Sequence, residues 1–380
     1  EILIGLVGSE MCIRDSLDDE RWSLLMDQLT LEEGMIRLGL GGTSTKAIES
    51  IMSPETIQND GPNGIYSYPL GQYANTDKTS TDPCAVDAND PNLAYKFGTM
   101  ANETVIAQTF NKDLANEYGK ICGNYSLWSN LTIFWGCGTN LHRSPYNSRN
   151  HEYYSEDAVL TSGQAVAFIS GGKEYGVIIA PKHLAFNDTE INRLGVSVFM
   201  TEQQARENEL RGTQASIEDA GALGVMTAFN RVGITAANAH TGLLKNILRG
   251  EWGFKGLESQ DFIMNPNYAV LKEYALNGGT MTTFTGENTM AAVSEKFAYW
   301  TTENVGQDTE LMSAIKQAMT WQAYALANSN ALDGMASSTR LVSVRTWYDN
   351  ALVAVQVVFA VLTVLAAAMY VLNDRKSKKQ

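Results

Sequence analysis

The sequence predicts an α/β fold, a (β/α)8-type (TIM-like) barrel, followed by a C-terminal single transmembrane helix. Three observations carry that expectation. Short apolar runs alternate with segments of helical spacing, polar side chains gather where the apolar runs end, and a long uncharged stretch lies near the C-terminus.

The apolar runs come first. Leu131–Asn140 (LTIFWGCGTN), Tyr175–Asn187 (YGVIIAPKHLAFN), Gly221–Asn230 (GALGVMTAFN) and Phe254–Phe262 (FKGLESQDF) share one design. Each has a core rich in β-branched or aromatic residues and closes on polar groups, as strands with functional C-terminal ends do. Between them lie segments 156–172, 201–221 and 241–253 with helical periodicity. The second opens on Thr201 with Glu202, Gln203 and Gln204 in its first turn, and Gly253 closes the third. Strand and helix in alternation mean a parallel sheet, which either a barrel or an open doubly wound sheet would satisfy. No GxGxxG turn follows the first strand, which counts against a dinucleotide-binding version. The glycines of GLGGTST from Gly39 lack phosphate-loop spacing and read as a turn. Residues 288–345 are free of proline and helical in pattern, fit to cover the sheet and lead to a stalk.

Composition narrows the function classes. The chain has 380 residues, 44% hydrophobic and 18% charged, which is globular rather than disordered. A net charge of −14 argues against nucleic acid, which needs a basic face. The cysteines Cys12, Cys84, Cys122 and Cys137 show no CxxC spacing, and no two of the four histidines have HxxxH spacing. No metal site and no cofactor are expected.

Both ends are unusual. Glu1–Ser16 (EILIGLVGSEMCIRDS) lacks initiator Met and signal-peptide layout. It resembles a translated sequencing-adapter peptide, so residues 1–16 are expected to be non-native, with natural chain once present upstream. At the other end Ala351–Leu372 carries no charge, and at ~1.5 Å per residue spans roughly 33 Å against a ~30 Å hydrocarbon core. Trp347, Tyr348 and Tyr370 flank it, and Arg375, Lys376, Lys378 and Lys379 follow. The expectation is a single-pass cell-membrane protein, with a cytoplasmic C-terminus and the main domain outside. The expected organisation is therefore 17–330 as the catalytic-type domain, 331–350 as a stalk, 351–372 as the span and 373–380 as a basic tail.

Five polar clusters fall at turns or strand ends in succession. They are NDGPNG with Asp60, HRSPYNSRNHEYYSED with Arg149, KHLAFNDTEINR with Lys182, His183, Glu190 and Arg193, TAFN with Asn230, and LESQDF with Asp261. Singly each suits a cap, a turn or an ion pair; together they suit separate loops lining one pocket. Adjacent Lys182 and His183 can touch one ligand only where the backbone turns.

Trp22–Asn330 resembles the catalytic barrel of glycoside hydrolase family 3, the β-glucosidase group. The resemblance rests on QLTLEEGMIRL, NDGPNG, NLHRSPYNSRNHEYYSED, KHLAFNDTEINR, GVMTAFN and LLKNILRGEWGFKGLESQDF, in the family's order. It implies retaining hydrolysis of an oligosaccharide or β-glucoside, with Asp261 as nucleophile. Asp60, Arg149, Lys182, His183 and Arg193 then hold sugar hydroxyls, with Asn230 beside them. Cations around Asp261 are expected to lower its pKa. The chain departs from the family at Ser148, Phe229, Gln260 and Phe262, where Gly, Tyr, Ser and Trp are usual, and NGGTM (Asn277–Met281) lacks the usual Asp. A retaining glycosidase also needs a second carboxyl ~5–5.5 Å from the first. In this branch it is a Glu on an α/β sandwich domain, expected upstream of this chain. The competing expectation is a membrane-tethered sugar-binding or sensing protein.

Overall fold

Ile178, Ala180 and Lys182 alternate along one strand of a central sheet, and that alternation fixes where the polar cluster can form. The structure is a computed structural model that describes residues 16–42, 44–61, 64–65, 100–187, 189–263, 265–332 and 347–377. Its strands are β1 (Ser44–Thr45), β2 (Thr56–Asp60), β3 (Leu131–Gly138), β4 (Ile178–Leu184), β5 (Ser197–Val198), β6 (Gly224–Thr227), β7 (Arg231–Val232), β8 (Thr235–Ala236) and β9 (Leu257–Gln260). A six-stranded sheet runs β1-β2-β3-β4-β6-β9, and β5, β7 and β8 form a small second sheet. In the large sheet β1 is antiparallel to β2 and every other pair is parallel.

Every residue of β3, β4, β6 and β9 is buried, so both faces are covered, as the near-continuous apolar runs require. Ile133, Trp135, Ile178, Ala180, Met226 and Leu257 pack on one face, with Ala325 and Leu326 of helix Thr309–Ala327. Phe134 and Ile179 point the other way, onto Phe168 and Ile169 of helix Ala158–Lys173 and Tyr118 and Cys122 of helix Lys112–Trp128. Period two then carries Lys182 onto the same side as Ile178 and Ala180, one step beyond the apolar packing.

The expected closed (β/α)8 barrel is corrected. Among the described residues the large sheet is mixed, with five parallel strands, and amounts to half a barrel. Among the described residues no strand joins β9 to β1. Segment 281–284 crosses that gap by single contacts: a bridge between Ser259 and Met281, Thr282 N–H donating to Leu38 O (2.8 Å) and Gly42 N–H to Phe284 O (3.0 Å). A closed barrel needs eight strands with matched stagger. Here the chain after β4 and β6 leaves to build the small sheet. The two closing segments also meet so tightly that a Cβ on Gly41 would lie 2.3 Å from Thr282 O, leaving no room for a ladder of side-chain-bearing residues.

The expected transmembrane helix is corrected as well. Ala351–Leu372 lies within helix Trp347–Ser377, but among the described residues no helix is long and apolar enough to cross a membrane. The chain divides into two compact units, Glu1–Ser338 and Thr339–Gln380. Outside the described residues fall the adapter-like peptide except Ser16, most of the expected stalk, the last three residues of the basic tail, Cys12, Cys84 and Asp188. Cys122 and Cys137 are buried and unbridged.

Candidate active site

Three strand ends and one loop converge. β4 delivers Lys182 and His183 through an irregularity in its pairing with β6 between Lys182 and Leu184. Such a bulge re-aims side chains, which lets two adjacent residues face one site. Asn140, just beyond β3, clamps the backbone there: it accepts from His183 N–H (2.8 Å) and donates to His183 O (3.0 Å). The loop bearing Arg149, Glu152 and Tyr153 lies against the end of β3 at Gly138, where a Cβ would sit 2.0 Å from Glu152 O. Thr104 Oγ1 pins that loop by bonding the carbonyls of Asn150 and Tyr153, each at 2.8 Å. Buried Glu103 accepts from the N–H groups of Cys137 (3.0 Å) and Gly138 (2.6 Å).

Asp261, 8% exposed, stands just past β9. Its Oδ1 accepts from Phe262 N–H (2.7 Å), and Oδ2 lies 3.3 Å from His183 Nε2. Arg149 Nη2 donates to the same Nε2 at 3.0 Å, and Tyr153 Oη is 3.2 Å from Nδ1. Lys182 Nζ donates to Asp60 Oδ1 (2.5 Å) and lies 3.5 Å from Glu152 Oε2. Glu152 also pairs with Arg149 Nε. Glu190 bridges Arg149 Nη1 (3.3 Å) and Arg193 Nη1 (2.6 Å), and the Arg193 guanidinium covers the Phe229 ring at 3.8 Å.

Burial pushes Asp261 up to about 6, although Arg149 and Lys182 pull the other way. The expected lowering by neighbouring cations is thus outweighed, because water is excluded more completely than charge is supplied. Burial also resists charge on Lys182, but Asp60 and Glu152 more than offset it and hold the ammonium charged. Glu152 is likewise raised by burial, yet Lys182 and Arg149 keep it below the usual carboxylate range. His183 is driven well below its ordinary value by burial and by Arg149, Lys182 and Arg193, so the ring is neutral.

Asp60, Arg149, Lys182, His183 and Asp261 are therefore gathered, with Arg193 joined through Glu190. Asn230 Nδ2 donates to Ala185 O (3.0 Å) and Arg231 O (3.2 Å), and its buried Oδ1 has no hydrogen-bond partner among the described residues. Glu152 and Tyr153 were not singled out by sequence reasoning; the only signal was the i,i+3 spacing of Arg149 and Glu152 in RNHE. Among the described residues no group of side chains could hold a metal ion. A cavity of about 480 Å3 lies elsewhere, walled by residues including Phe186, Val198, Leu210 and Leu243, and contains none of the gathered groups. Chemically, the cluster offers one ionisable, water-poor carboxylate among charged donors, suited to a polyhydroxylated ligand with an electrophilic centre.

Residues 92–279 match the glycosyl hydrolase family 3 N terminal domain. A beta-glucosidase of Rhizobium radiobacter is 30% identical over 239 residues, covering 63% of this chain and 27% of that protein. A beta-glucosidase of Ruminococcus albus is 35% identical over 176 residues, 46% of this chain and 18% of the relative. Among solved structures, beta-glucosidase 3B from Thermotoga neapolitana in complex with glucose superposes with a TM-score of 0.68 at 25% identity. That match covers 84% of this chain and 44% of the other. The chain thus spans about a quarter of the length of the first curated relatives it matches.

Proposed function

Through residues 92–279 the chain belongs to glycosyl hydrolase family 3, and from that premise we propose that it carries the nucleophile and sugar-hydroxyl contacts of a retaining β-glucoside hydrolase. The observation that carries the reading is Asp261, a carboxylate 8% exposed at a strand end, 3.3 Å from neutral His183 and within the field of Arg149 and Lys182. In the first step Asp261 attacks the anomeric carbon as the bond to the leaving oxygen breaks, giving a glycosyl ester. In the second, water cleaves that ester and the sugar leaves with its configuration retained. Asp60 accepts from a sugar hydroxyl, while Lys182 and Arg149 donate; Arg193 helps orient Arg149 through Glu190. Asn230 fixes the backbone after His183.

The leaving oxygen needs a proton donor. Among the described residues the carboxylates nearest the cluster do not offer one, because Asp60, Glu152 and Glu190 are each bonded to a cation. The acid/base in this proposal is a Glu from an α/β sandwich domain outside this chain.

A dinitrophenyl β-glucoside bypasses that requirement, since its leaving group departs unprotonated. The full chain should release about one equivalent of dinitrophenolate in a burst, and Asp261→Asn should abolish it. Sugar binding without any Asp261-dependent release would instead establish a binding protein.

A further inference from the structure

We propose that Tyr153 and Arg149 together hold His183 as its Nδ1–H tautomer, so that Nε2 accepts from Arg149 and presents no proton to the sugar or Asp261. Tyr153 is then a positioning residue that acts through His183.

The argument is one of donors and acceptors. A guanidinium has five N–H donors and no acceptor, so its aligned 3.0 Å contact obliges His183 Nε2 to accept. A neutral imidazole has one donor and one acceptor, which leaves the proton on Nδ1. The group 3.2 Å from Nδ1 is Tyr153 Oη, fully buried and able to accept. Its other neighbour is the Asn187 side-chain amide at 2.8 Å. Whichever way that amide is turned, Tyr153 keeps a lone pair for Nδ1–H. If the amide nitrogen faces it, the phenol oxygen accepts twice; if the amide oxygen does, the O–H is spent there and a lone pair remains.

The opposite tautomer sets donor against donor: Nε2–H would face an Arg149 N–H in a buried site.

The tautomer specifies what the site asks of its ligand. With Nε2 engaged by Arg149 and Nδ1–H by Tyr153, His183 offers a sugar hydroxyl no free donor, and the hydroxyls must find their donors in Arg149 and Lys182. The sugar and the nucleophile rest on the function proposed above; the tautomer does not.

Two-bond 1H–15N correlation spectra of the full chain, labelled with 15N-histidine, read the tautomer directly. The His183 signals are those lost in His183→Gln. The wild type should show the Nδ1–H pattern. Tyr153→Phe removes the acceptor of Nδ1–H while Arg149 still donates to Nε2, so the Nδ1–H pattern should persist with that proton exchanging with water at least about tenfold faster. An Nε2–H pattern in the wild type overturns the proposal, and so does unchanged Nδ1–H exchange in Tyr153→Phe. A merely structural tyrosine would leave that exchange where it was. Because the spectra need no turnover, a chain with no burst but an Nδ1–H pattern sinks the proposed function alone. A chain with a burst and an Nε2–H pattern sinks only this inference.

Discussion

At the scale of single residues, Asp261 shows how a nucleophile can be costly to hold. Its carboxyl is raised from 3.8 to about 6, chiefly by burial. A burst rate dependent on ionised Asp261 should therefore rise as pH passes through 6 and then level off. The same shift has a sign for stability. An unfolded chain releases this proton near 3.8 and the folded one near 6, so folding loses stability as pH rises between those values, and about 3 kcal/mol is lost above them. Asp261→Asn should recover up to about that amount at pH 7.5, read from urea midpoints. Glu152 acts in the reverse sense, since it neutralises buried Lys182 and Arg149 together. Glu152→Gln should cost about 1–3 kcal/mol, because Lys182 and Arg149 each lose one charged partner and keep only Asp60 and Glu190; no measurable loss would contradict that role. Asp261, Lys182 and His183 were legible because each follows an apolar run. The contacts of Glu152 with Lys182 and of Tyr153 with His183 were not, because each spans about thirty residues and is made only through a loop folded back on β3.

Elements set what single residues can do. The alternation of Ile178, Ala180 and Lys182 was readable from the sequence, whereas the pairing irregularity that turns His183 into the site was not. Gly138 is needed because the loop bearing Arg149 and Glu152 approaches it so closely. Gly138→Ala should push that loop off β3, weakening sugar binding at least tenfold by calorimetry while the fold persists. β9 hides a second titratable group. Glu258, which the sequence places opposite Asp261, is fully buried, and burial raises it to about 7 despite the pull of Tyr274 and Arg249. Its stabilising effect is present below pH 4.5 and lost as pH climbs toward 7, by about 3 kcal/mol. Glu258→Gln should match the wild type at pH 4.5 and exceed it by up to that amount at pH 8, in urea titrations. The small sheet of β5, β7 and β8 escaped sequence reasoning because strands of two residues carry no period.

At the scale of the whole molecule, the large unit is tied together by contacts distant in sequence. Arg37 Nε donates to Gln322 Oε1 (2.7 Å), and its other nitrogens reach Lys46 O and Ser53 Oγ. Arg37→Ala would leave those acceptors unpaired in the core. It should lower stability by about 3 kcal/mol while unfolding stays a single transition. The α/β class followed from strand and helix alternation. Openness of the sheet did not, because closure depends on strand number and stagger, which local patterns do not encode. The membrane expectation rested on hydropathy of one stretch, and among the described residues no helix is long and apolar enough to cross a membrane.

The central claim is that Asp261 forms a covalent bond to a sugar. A dinitrophenyl 2-deoxy-2-fluoro-β-glucoside slows breakdown of such an ester more than its formation, and so traps it. After incubation with the full chain, mass spectrometry should find one fluoroglycosyl adduct, on the peptide that contains Asp261, and none in Asp261→Asn. An unmodified chain, or an adduct on any other carboxylate, would contradict the account.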